Sequence, residues 1–172
     1  ADRLADKLQR LDCQVKATHF NVETPSLNIL SAFQPEIIFF MITPPIFIKR
    51  TREFEVELFD KFISFYCTTL EKLCEKLTFD SLKLLYYPSS IAIETDRTRN
   101  FEYSVSKQLG EIHAEVLSKK HGFELLVDRL PRLKTDQTST HLKIKASDVA
   151  DVALQVMVRV VKSLHEADQL HQ

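Results

Sequence analysis

Residues 82–107 read LKLLYYPSSIAIETDRTRNFEYSVSK. The pattern predicts an apolar strand, then a polar loop carrying Ser90, then a helix presenting Tyr103 and Lys107. Residues four apart on a helix share a face, so the phenol and the ammonium reach the same small space. A hydroxyl at the strand end closes that space from the other side. These groups suit proton transfer to or from a carbonyl oxygen. A free phenol titrates near 10, and a neighbouring cation favours its ionised form. The serine can hold the same oxygen by a hydrogen bond. Tyr103 and Lys107 have a plainer reading too, as a half-buried helix residue and a solvated charge, with Ser90 satisfying loop backbone groups.

Context extends the motif. Ser90 lies just after a strand, and the next predicted strand runs into RLPRLKTDQT at residues 129–138. In this the chain resembles the short-chain dehydrogenase/reductase family, with a ketoreductase-like character, from about residue 14 to 165. That family carries a serine after its fifth strand, Tyr-x-x-x-Lys on the next helix, and a Pro-Gly…Thr-Asp segment after its sixth. The resemblance implies Ser90, Tyr103 and Lys107 as catalytic residues, with NADP or NAD as cofactor. Lys107 would also bind the ribose. Asn21 and Val22 stand where the family has Asp-Val near the adenine. Thr43 and Pro44 stand where it has Asn-Asn-Ala-Gly beside the cofactor. Pro131 and Thr135 match the segment contacting the nicotinamide amide, with Arg132 in place of the glycine.

Other departures favour a different use of the fold. The 172 residues contain two glycines, Gly110 and Gly122. A dinucleotide fold normally needs several in its first strand-to-helix turn, so that the backbone can approach the pyrophosphate. Thr43-Pro44-Pro45 lacks the backbone donors of the family's turn, because proline has no N–H. The asparagine that the family often carries on the helix over 53–77 is missing around Phe65 and Tyr66.

Composition sets the outer limits. One domain is the default at 172 residues, and 44% hydrophobic content with twelve Phe supplies a core. A net charge of −1 with mixed signs gives no electrostatic case for nucleic acid. The longest apolar run, Ile37 to Ile48, is broken by Pro44 and Pro45 and is too short to span a bilayer. Cys13, Cys67 and Cys74 lack CxxC spacing, and the six histidines lack metal-ligand spacing, so no metal is expected. The expected location is cytoplasmic.

Periodicity predicts helix over 2–11, strand over 14–20, a short helix over 25–33 and a doubly buried strand over 36–42. Helix follows over 53–77, strand over 82–87, helix over 101–121 closed by Gly122, and strand over 123–130. A last helix capped by Ser147 carries Val149, Val152, Val156, Val160 and Leu164 as an apolar stripe. Alternation of this kind predicts α/β architecture, a Rossmann-like parallel sheet with helices on both faces. Against the family, the first βαβ unit is missing, leaving one domain over 1–172 without the glycine-rich phosphate-binding unit.

Two functions follow. One is NAD(P)-dependent reduction of a small-molecule or acyl carbonyl, a ketone or an acyl-thioester-linked group, with Tyr103 as proton donor. The resemblance adds a homodimer through the long helices. The other is a non-catalytic scaffold or partner-binding domain. A different α/β enzyme ranks below both, since no nucleophile elbow or P-loop is present.

Overall fold

Three parallel strands carry the architecture, in the order β1-β2-β3. The computed structural model describes residues 14, 21–22, 33–46, 53–77, 81–95, 100–133 and 147–170. The element predicted over 2–11, and most of those over 14–20 and 25–33, lie outside the described residues. In chain order the elements are β1 (Ile37–Phe39), α1 (Val56–Ile63), a π turn (Ser64–Thr68), α2 (Thr69–Cys74), β2 (Leu84–Ser90), α3 (Ala92–Thr95), α4 (Phe101–His121), β3 (Glu124–Leu130) and α5 (Val149–Leu170).

The alternation of β2 explains why helices cover both faces. Leu85 and Tyr87 point into a core with Leu70, Leu73, Ala114 and Leu117 from α2 and α4. Leu84 and Tyr86 point the other way, against Val160 of α5. Fully burying one such aliphatic side chain contributes about 1.5–3 kcal/mol, so the two faces together anchor the sheet. The chain is α/β with a parallel sheet, as its strand and helix pattern predicts.

Several details differ from the expected ones. β1 is short, and its residues are half-buried or exposed rather than buried on both faces. β2 runs on through Pro88 and Ser89 to Ser90, so Ser90 ends a strand and does not sit in a loop. Continued pairing with β3 carries it there, down to Ser90 opposite Leu130. Pairing with β1 stops at Tyr86, and Phe40 N–H bonds the Tyr86 carbonyl on that side. Position 88 points to the same side, beyond the end of β1, where a missing N–H costs nothing.

The predicted helix over 53–77 is interrupted by the π turn, at whose end the Thr69 N–H reaches five residues back to the Ser64 carbonyl. The Thr69 hydroxyl also donates to the Ser64 carbonyl, at 2.8 Å. Asp148, not Ser147, caps α5: its carboxylate accepts the Ala150 N–H at 2.8 Å. Ser147 instead donates its backbone N–H to the Arg132 carbonyl at 2.9 Å. No described helix is long and apolar enough to cross a membrane.

Candidate active site

Helix α4 supplies two of the predicted residues, and its own sequence explains how it reaches the sheet. Tyr103, Lys107, Gly110, Ala114 and Leu117 are all buried, at helical spacing along one stripe. Gly110 and Ala114 are small, so α4 lies close against β2. Gly122 ends the helix at φ 79°, a left-handed conformation that glycine adopts without a Cβ penalty. At the other end, the Ser104 hydroxyl donates to the Ala92 carbonyl at 3.2 Å and ties α4 to α3.

The structure brings Ser90, Tyr103 and Lys107 to one place at the carboxyl end of β2. Ser90 lies within side-chain hydrogen-bonding reach of Tyr103, close enough to pull the phenol's pKa down. Ser90 Oγ also accepts the Ala92 N–H at 3.2 Å, which orients it. Lys107 Nζ donates to the Pro88 carbonyl at 2.7 Å. That carbonyl is available because β1 has already ended. Tyr103 and Lys107 are only 8% and 5% exposed, so little of either polar tip meets water.

Burial governs the electrostatics. It pushes the Tyr103 phenol above its ordinary value, against a smaller downward pull from the Ser90 hydrogen bond. The lowering expected from Lys107 is not what the site shows: burial raises the phenol, and the downward pull comes from Ser90. Burial lowers Lys107 from 10.5 to about 7, opposed by Glu111. Glu111, one turn further on, is held by Arg129 of β3 at 3.0 Å and 2.7 Å. Arg129 also bonds Glu94 of α3 at 2.5 Å.

The remaining predicted residues are placed less centrally. Thr43 is exposed, and its Oγ1 lies 2.7 Å from the Tyr66 hydroxyl. Pro44 is fully buried. Asn21 is exposed and Val22 half-buried, in an isolated described pair. Pro131 is exposed and lines a cavity of about 500 Å³ beside α5, together with Asp128, Asp151 and Arg159. Its lining includes Leu130, the residue paired with Ser90 across the sheet. Thr135 lies outside the described residues. No group of histidine, cysteine, aspartate or glutamate that could hold a metal occurs among the described residues.

Tyr66 is the neighbour that periodicity did not single out for the site. The Lys107 ammonium sits 4.1 Å from its ring centroid and 5.0 Å from that of Tyr87. Tyr103 meets the Tyr66 ring edge-on at 6.2 Å. The wide apolar face of the 53–77 segment hides the extra residue of the π turn. Such turns are frequent at functional sites.

No protein-family model and no curated protein sequence matches the chain. Among solved structures it is similar to an alcohol dehydrogenase from the archaeon Thermococcus sibiricus complexed with 5-hydroxy-NADP. The TM-score is 0.75 at 16% identity, over 92% of this chain and 74% of the other. The fold is Rossmann-like. At that identity the likeness speaks to fold alone.

Proposed function

We propose that this domain is part of an NAD(P)-dependent oxidoreductase that reduces a ketone or acyl-thioester-linked carbonyl, with Tyr103 as proton donor. The observation that carries the reading is the meeting of Ser90 and Tyr103, within hydrogen-bonding reach, beside buried Lys107. It stands at the carboxyl end of a parallel strand, where open α/β sheets bind ligands. The 5-hydroxy-NADP bound to the archaeal dehydrogenase of like fold supports a nicotinamide cofactor.

The residues fit the nicotinamide end. Lys107 has three donors and spends one on Pro88, leaving others for ribose hydroxyls. They do not supply the pyrophosphate end. Gly110 is inside α4 and Gly122 caps it, so neither makes a phosphate-binding turn. Thr43, Pro44, Asn21, Val22, Pro131 and Thr135 remain the proposed outer contacts, carried by the family resemblance.

When bound, the nicotinamide supplies hydride. The chain's own residues handle the oxygen. A phenol raised above its ordinary value is protonated at neutral pH, the form a proton donor needs. Ser90, held by the Ala92 N–H, turns its hydroxyl toward the same oxygen. Lys107 stabilises the phenolate that remains. Exposed Leu109, Ile112 and Val116 on α4 support a homodimer through that helix.

A scaffold reading is favoured by the cover of Tyr66 and Tyr87 over Lys107. Titrating the protein with NADPH and NADH into the millimolar range separates the two. Binding that Lys107→Met weakens supports the oxidoreductase. No binding at millimolar cofactor sinks it and leaves the scaffold.

A further inference from the structure

Three features fix the Tyr66 side chain. It lies inside the π turn and is fully buried. Its ring stacks on Phe62 at 5.9 Å with planes 5° apart. Its hydroxyl pairs with Thr43 Oγ1 at 2.7 Å. A fully buried ring held at its face and its tip has no freedom to turn. Over it sits the Lys107 ammonium, 4.1 Å from the centroid, well inside the roughly 6 Å reach of a cation–π contact.

We propose that Tyr66 is a positioning residue: its ring holds the tip of Lys107 at the Pro88 carbonyl, so that whenever Lys107 is protonated its cation stays in that one place. The use of that cation rests on the oxidoreductase reading; the geometry does not. A lysine carries about 2 kcal/mol of rotamer entropy, and a single hydrogen bond to Pro88 would leave its tip free to swing. The Tyr66 ring and, at greater distance, the Tyr87 ring limit that swing. The ring face also offers negative charge density where water has been expelled, offsetting part of the desolvation that lowers Lys107. The titratable groups facing Lys107 are Tyr66 from the π turn, Tyr87 from β2, and Tyr103 and Glu111 from α4. Arg129 of β3 stands behind Glu111. Of these, Tyr66 lies nearer to Lys107 Nζ than Tyr87 does.

The test is the titration of Lys107 followed by side-chain NMR in the full protein, with Lys107→Met identifying the signal. In the unaltered protein the Lys107 Hε protons are expected upfield, with cross-relaxation to the Tyr66 ring. Absence of both overturns the proposal, whether or not any Tyr66 variant folds. In Tyr66→Met, similar in bulk but without a ring, the midpoint is expected to fall by about one pH unit. Tyr66→Phe, which keeps the ring, is expected to restore it. An unchanged midpoint overturns the proposal. So does a rise, which would show that Tyr66 only excludes water. With NADPH and a small aliphatic ketone, Tyr66→Met should lower kcat with KM little changed, and Tyr66→Phe should recover it. If no turnover is seen but Lys107 titrates as described, the oxidoreductase reading fails and the positioning role stands.

Discussion

The hydroxyl of Tyr87 occupies the space that a side chain at position 110 would fill, so Gly110 is what lets β2 and α4 meet beneath Lys107. A Cβ there would also press on the Cβ of Tyr66, at 3.2 Å. Two of the rings around the ammonium thus depend on one absent side chain.

Gly110→Ala is expected to destabilise the protein by about 1–2 kcal/mol. Alanine gains up to about 1 kcal/mol in a helix interior, while overpacking a filled core costs about 1–3. The contact is with a ring on a central strand, which has little room to give. Urea unfolding checks the sign, and a stabilised variant would contradict the packing described here.

Lys107 makes stability depend on pH above neutrality. Below about pH 7 both the folded and the unfolded chain carry the charge, and the full cost of burying it is present. Above that, the folded lysine loses its proton while the unfolded one keeps it toward 10.5. The unfolded state then binds more protons, so stability rises with pH. The window is about pH 7 to 8.5. Higher up, thiols and phenols raised by burial, among them Cys74 at about 12, act in the opposite direction. Wild-type stability should climb across the window by on the order of 1–2 kcal/mol, and Lys107→Met should stay flat. Chemical denaturation at three pH values reads the difference.

Asp148→Ala should cost about 1 kcal/mol through loss of the α5 cap, and Ser147→Ala much less. Equal effects of the two substitutions on thermal unfolding would count against the cap assignment.

Much of the fold was legible because local signals agreed with packing. Helix α4 and its Gly122 terminus follow from periodicity and from the left-handed turn that glycine accepts. β3 and the parallel order follow from alternating strands and helices. Pro88 misled the end of β2, since proline reads as a strand breaker unless its missing N–H faces a side already unpaired. Ser147 and Asp148 are both good caps, and only geometry chooses between them. The clustering of Ser90, Tyr103 and Lys107 was legible because two share one helix and the third ends a strand. The Tyr66 contact depends on a π turn that the broad apolar stripe of α1 and α2 conceals. The Arg129 link to Glu111 and Glu94 spans three elements and has no local signal.

Turnover of a small ketone with NADPH, followed at the nicotinamide absorbance, tests the account most directly when run on wild type and Tyr103→Phe. The substitution keeps the ring against Phe62 and Tyr66 and removes only the hydroxyl, so folding should be spared to within about 1 kcal/mol. The account predicts wild-type reduction that falls by about 10²–10⁴ without that hydroxyl. Turnover that survives Tyr103→Phe unchanged, or its absence from wild type across ketone and thioester probes, would contradict it.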